Sequence, residues 1–387
     1  MNNPILALGF RPFYLLAAVF AVITLPLWVA IYLGVVQPGG YLQGVAWHSH
    51  EMIFGFATAV IAGFLLTAVR NWTSQPTPTG TVLAGLAALW LLGRLLGLTG
   101  PVPVAVLVDV AFLPVLGVAL AVPIWRSRNT RNLKILVVLA VLTLANLSYH
   151  LAYLNVLPGK FMQVATTAAL DVITILMAII GGRVIPVFTA NAITTASPRS
   201  VFGVEVTAFA ALVVVLVAGL LTFWYPLPAT LWLALLVTAA LVHGMRLLLW
   251  QPYRSYRNPL LWMLPVAYAW IPISLLLRAL AQIAVVPSAV AIHALTLGAI
   301  SSLMLAMMTR SALGHTGRQL SAGPVEISAF VLLQLAAVVR VFAGFIWPEF
   351  YRETVVISGM LWCLAFVLFL LRYWPMLTRP RIDGVPG

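Results

Sequence analysis

Charge is what this sequence has least of. Only 7% of its 387 residues are charged, where a soluble globular protein carries roughly 25%. A water-facing fold of this composition would have no polar surface to present. Cysteine is nearly absent too. The single Cys363 lies inside a late apolar run, so no disulfide, cysteine zinc site or iron–sulfur cluster can be built from it. Acidic residues number 8 against 21 Lys and Arg, a formal charge of +13. On a soluble domain that excess would suggest nucleic acid. Here no stretch interleaves basic and aromatic residues outside the apolar segments, so no nucleic acid is expected as a partner.

What fills the sequence instead is hydrocarbon. Apolar residues make up 63% of the chain. Continuous apolar runs of about 20 residues recur from end to end, the length that crosses a bilayer core. In lipid only helices and closed barrels satisfy their backbone hydrogen bonds, and barrel strands alternate in shorter segments. The fold class is therefore all-α: a polytopic membrane helix bundle of about twelve transmembrane helices, with the lipid bilayer as its partner. The expected spans are 13–36, 46–69, 80–98, 103–125, 133–157, 161–182, 202–222, 226–249, 259–284, 287–309, 325–347 and 353–375. Residues 1–387 read as a single domain with short connections, the longest near 183–201 and 310–324. The first apolar run is too long for a signal-peptide core and is expected to remain as the first span.

Basic residues fix the orientation. Arg11, Arg70, Arg126, Arg128, Arg131, Lys134, Arg254, Arg257, Arg372, Arg379 and Arg381 fall on the N-terminal side, with others. The opposite loops carry only Lys160 and Arg352. That bias places both termini in the cytoplasm. Three more arginines, Arg94, Arg278 and Arg340, lie inside spans toward the outer end. An ionisable group at that depth is expensive, on the order of 2.5–3.5 kcal/mol on insertion scales, so three at one level ask for a function beyond snorkelling.

Histidines gather at the same level. His48 and His50 open the second span, His150 closes the fifth, and His293 opens the tenth. Glu51 and Asp109 share their depth. Neutral imidazole is the commonest metal ligand, so four histidines at one level point to a metal or haem site. His48 and His50 are two apart and cannot both face one centre from a regular helix. Glu51 and Asp109 would orient ligating rings from behind. The intramembrane arginines outnumber their acidic partners, and haem carboxylates or a small oxyanion would satisfy them. A second group lies on the inner side: Arg183 in Gly181-Gly182-Arg183-Val184-Ile185-Pro186 ending the sixth span, Arg246 one turn after His243, and Arg310 ahead of His315. These arginines suit an anion path, with His243 and His315 as further ligand candidates. Carboxylates are too few for a proton wire.

Several motifs now stand together. Gly9-Phe10-Arg11-Pro12-Phe13 precedes the first span. Trp47-His48-Ser49-His50-Glu51-Met52 runs through Phe54-Gly55-Phe56. Gly181-Gly182-Arg183-Val184-Ile185-Pro186 and the stretch from His293-Ala294-Leu295 to Arg318 follow in order. Together they resemble the NnrS family of bacterial membrane proteins, from the first helix to the eleventh. Serine stands at position 49 where the family favours alanine, and arginine at 70 where proline is common. The resemblance implies a haem- and copper-containing protein of the bacterial inner membrane, tied to nitric oxide metabolism, nitrosative stress and denitrification. It also invites a fold-level analogy with the catalytic subunit of haem–copper oxidases, where histidines of helices two and ten hold a haem.

On this basis the expected cofactor is haem b, with copper as a second metal. The ligands would be His50 or His48 with His293, and His150 as a further choice. Arg94, Arg278 and Arg340 would hold haem propionates. The expected reaction is conversion of peroxynitrite to nitrate at a single haem. The alternatives are NO reduction or scavenging at a haem–copper site, transport of a metal or nitrogen oxyanion, and haem-based sensing.

Overall fold

A helix in lipid must pack by shape, since lipid tails are as apolar as the side chains they would replace. The computed structural model describes residues 3–384 except 38 and 129. Among the described residues there are helices and no strands, and twelve helices are long and apolar enough to cross a membrane. They are α1 (Phe10–Tyr32), α2 (Gly44–Thr73), α3 (Gly80–Thr99), α4 (Val102–Arg126), α5 (Thr130–Tyr153), α6 (Lys160–Ala192), α7 (Phe202–Leu221), α8 (Ala229–Leu249), α9 (Pro259–Gln282), α10 (Ser288–His315), α11 (Pro324–Ile346) and α12 (Pro348–Thr378).

The all-helical, twelve-span expectation is met, with two boundaries moved. The sixth helix does not stop at Gly181-Gly182. It runs on to Ala192 with Pro186 inside it. The tenth continues to His315, so that residue ends a helix rather than lying in a connection. Glycine costs a helix only about 1 kcal/mol, which packing overrides.

The chain forms two compact units. The first holds the chain up to Ala169, then Met308–Gln319 and the stretch from Phe366 onward; the second holds Leu170–Met307 and Leu320–Ala365. In the first unit α2 is the most enclosed helix, its apolar stretch almost entirely buried. By contrast α3 and α4 turn Leu91, Leu92, Leu95, Leu107 and Val118 outward, as lipid-facing helices do. In the second unit α9 packs against α8 and α10.

Three helices carry a wider π turn: Glu51–Ala57 in α2, Ala294–Ser301 in α10 and Val339–Ala343 in α11. The first two begin directly after His50 and His293, and the third contains Arg340. Such segments are rare and are frequent at functional sites.

Candidate metal centre

The first unit builds its centre from four helices, α2, α3, α4 and α5, and the connection before α2. Gly93 of α3 approaches α4 so closely that a Cβ there would lie 3.2 Å from the Asp109 Cα. That approach sets the neighbouring Arg94 against Asp109, and the two form an ion pair. Arg94 Nη1 also donates to Glu51 Oε2 at 2.8 Å. One guanidinium thus joins two carboxylates from α2 and α4, all three side chains no more than 8% exposed.

Two imidazoles close on the same carboxylate. His150 Nε2 lies 2.8 Å from Asp109 Oδ2, and His50 Nε2 lies 3.2 Å from it. The ring centroids are 4.6 Å apart. Asn146, one turn before His150 on α5, donates through Nδ2 to Asp109 Oδ2 at 2.9 Å, and its Oδ1 faces His50 Nε2 at 3.0 Å. The far nitrogens are oriented as well. His50 Nδ1 faces Glu51 Oε1 at 3.0 Å, and His150 Nδ1 faces the Tyr41 hydroxyl at 2.7 Å. Tyr41 lies in the connection between α1 and α2, and burial holds its hydroxyl protonated well above the usual tyrosine range.

His50, Asp109 and His150 each offer one ligand atom, all within 4.8 Å of one another. Two features make this set fit a metal ion. Both nitrogens of His50 face acceptors, so a cation, either a second proton or a metal, belongs on its Nε2 side. Counting Glu51, Asp109 and Arg94 with neutral rings, the cluster carries one net negative charge. Two imidazoles and a carboxylate suit iron, copper or zinc, and the partners behind each ring hold it in place. The donors close on one another too tightly for a macrocycle to lie between them.

His48 does not join them. Its ring stacks on Trp28 with centroids 4.4 Å apart and planes 13° apart. His315 packs against Phe10 at 5.5 Å.

The second unit places the remaining candidates. His293 Nδ1 donates to the Ala289 carbonyl one turn back at 2.7 Å. That is how proteins commonly orient a ligating ring, with Nε2 directed outward. Ser288–His293 packs against Val339–Ala343, which brings Arg340 within electrostatic reach of His293. Arg340 donates to the Tyr351 hydroxyl at 2.8 Å. His293 and Arg340 thus lie near one another on packed segments of α10 and α11.

Arg278 is paired with Asp171 at 2.6 Å and lies over the Trp232 ring. Arg246 donates through Nε to Glu205 Oε1 at 3.0 Å and forms a second, short bond to Glu205 Oε2. It also donates to the Ala178 carbonyl and the Tyr268 hydroxyl at 2.8 and 2.7 Å. His243 bonds Tyr268 at 2.7 Å and the Ala208 carbonyl at 3.1 Å. Arg183 and Arg310 are half-buried on α6 and α10. Sequence reasoning missed Asn146, Tyr41, Glu205 and Tyr268. Asn146 had a signal, a polar residue four before His150 in an apolar span.

A twelve-span helical protein holding a buried imidazole–carboxylate donor set is, by fold and site, a multi-pass membrane protein with a candidate metal centre. The sequence matches the family described as "NnrS protein" over residues 4–381. The chain belongs to the NnrS family, and is with it a membrane protein related to nitric oxide and associated with metal binding. No curated protein matches the chain.

Proposed function

We propose that this protein disposes of reactive nitrogen species in the bacterial inner membrane by converting peroxynitrite to nitrate. Haem b would be held by His293 with Arg340 at a propionate. A second metal ion, copper in keeping with the family resemblance, would be held by His50, Asp109 and His150. Haem supplies an iron open to small nitrogen–oxygen ligands and tuned by its axial imidazole and burial.

The observation that carries the reading is the state of the carboxylates. Glu51 and Asp109 share Arg94, Asp171 holds Arg278, and Glu205 holds Arg246. Proton relays through membranes use chains of acidic groups, and here each intramembrane carboxylate named is engaged by an arginine. An isomerisation needs no net proton or electron, whereas reduction of NO to nitrous oxide consumes both. Arg183 and Arg310 would supply positive charge for an entering anion. Arg246, neutralised by Glu205, holds α6, α7, α8 and α9 together instead.

The test follows peroxynitrite decay and NO loss side by side in the same proteoliposomes, with and without an electron donor. Peroxynitrite decay that accelerates without a donor and falls to the background in His293→Ala is expected. NO loss that requires a donor, with peroxynitrite untouched, would reject the isomerase and favour the reductase.

A further inference from the structure

In the first unit, the start of α1, the turn after α10 and the tail after α12 are tied together. Arg11 is fully buried and donates to the carbonyls of Leu377 and Arg379 at 3.0 and 2.7 Å. Arg381 donates to the His315 carbonyl at 3.2 Å, and the Ile382 amide donates to the Thr316 carbonyl at 3.4 Å. These ties draw basic residues into one place. Arg318 lies within electrostatic range of Arg11, Arg372 and Arg379, and Arg381 within range of Arg11 and His315. Burial, with repulsion from Arg372 and Arg379 added, pulls the Arg318 guanidinium below its ordinary range. The carboxylate bonded within this group is Asp383, which Arg381 already holds.

Backbone ties fix Arg11 and Arg381, and Arg318, Arg372 and Arg379 lie in electrostatic range of this group, so positive charge that suits an anion is concentrated around one carboxylate. The neighbouring surface says which kind. Arg372 is exposed on α12 between Leu371, which is 71% exposed, and Trp374, which is 50% exposed. Ile382 is exposed beside Arg381. Charge and hydrocarbon alternate here as they do at a headgroup–acyl boundary.

We propose that this cluster binds the phosphate of an anionic phospholipid, with Arg318, Arg372 and Arg379 on the headgroup and Leu371 and Trp374 along the acyl chain. On the orientation that the arginine bias implies, this is the cytoplasmic leaflet. The site is separate from the metal centre and does not depend on the reaction proposed there.

The experiment uses the full-length protein in detergent. Unfolding temperature and retained lipid, by native mass spectrometry, are measured with phosphatidylglycerol, phosphatidylcholine or inorganic phosphate added. The wild type is compared with R318Q/R379Q and with R126Q/R128Q, which removes two arginines from another loop. Phosphatidylglycerol should stabilise and be retained by the wild type and by R126Q/R128Q. Each arginine lost at the cluster should weaken retention about five-fold. Equal loss in both double variants would mean diffuse charge attraction and overturn the site. Equal stabilisation by inorganic phosphate would mean a soluble anion and overturn the lipid.

Discussion

Removing Arg94 gives the sharpest test of the centre in the first unit. Arg94 bonds Glu51 at 2.8 Å and pairs with Asp109, and none of the three reaches solvent appreciably. Deleting one partner of a buried ion pair costs about 3–5 kcal/mol, because the other charge is left uncompensated. Here two carboxylates are orphaned by one change, which favours the upper end of that range. Arg94→Ala should therefore unfold far more readily in detergent when metal-free. It should also leave the cluster with a larger negative charge and two imidazoles, a stronger trap for a cation. Metal that binds only the folded protein adds about 2.7 kcal/mol at one hundred times its Kd, so divalent metal should stabilise Arg94→Ala more than the wild type. Arg94→Lys should recover part of the loss, since it restores charge without the fork that reaches two carboxylates. The assay is denaturant unfolding followed by circular dichroism, with chelator or with copper or iron. An Ala variant within about 0.5 kcal/mol of the wild type, the range of an ordinary surface change, would refute the charge argument. Equal metal stabilisation of both proteins would refute the placement of the metal.

Four further outcomes follow from the same geometry. His50→Ala and His150→Ala should each lower bound metal by elemental analysis, whereas His48→Ala, which loses a stack on Trp28, should retain it. Tyr41→Phe removes the hydroxyl behind His150 and should weaken metal binding about 10–100-fold. Tyr41 also sets an alkaline limit. Its folded-state pKa lies above the unfolded value, so the stability it is linked to is fully present below pH ~10 and lost as pH rises beyond; Tyr41→Phe should blunt that loss in a pH series of unfolding curves. Gly55→Ala places a Cβ 2.8 Å from Phe20 and 2.9 Å from Glu51 Oε2, so it should displace Glu51 and lower both stability and metal content.

Apolar run length made the twelve helices legible, because a bilayer demands that length wherever the chain crosses it. It could not place the ends of α6 and α10, where glycine and basic residues imitate a loop but packing continues the helix. Within the site, the chemistry of His50, His150, Glu51, Asp109 and Arg94 marked all five as candidates. Their partners were not legible. Arg94 was offered to haem propionates by the count of charges, yet it sits between Glu51 and Asp109. That pairing depends on the close approach of α3 and α4 at Gly93, which no one-dimensional pattern encodes. Likewise the spacing of His48 and His50 said that both could not face one centre from a regular helix, and in the fold His48 stacks on Trp28 while His50 meets Asp109. Glu205 escaped notice because an acidic residue in the first turn of a helix reads as ordinary termination chemistry.

A π turn directly follows His50 in the first unit and His293 in the second. A wide turn breaks the regular ladder and leaves carbonyls available to side chains. In α2 the Gly55 carbonyl accepts from Trp90 Nε1 at 3.1 Å. In α10 the carbonyls of Thr296 and Leu297 accept from the hydroxyls of Ser301 and Ser302, five residues on. A membrane helix gains nothing in lipid from such irregularity, since each disturbed backbone bond needs a replacement. It is tolerated where something else fixes the helix on either side. In α2 that is His50 and Glu51, held by Asp109 and Arg94. In α10 it is His293, held by Ala289, with Trp270 packed against Gly298 in the next turn. Two histidines singled out by chemistry alone thus sit at two of the three π turns among the described residues. π turns are frequent at functional sites, and on the reading proposed above these two would hold His50 and His293 in place for ligands.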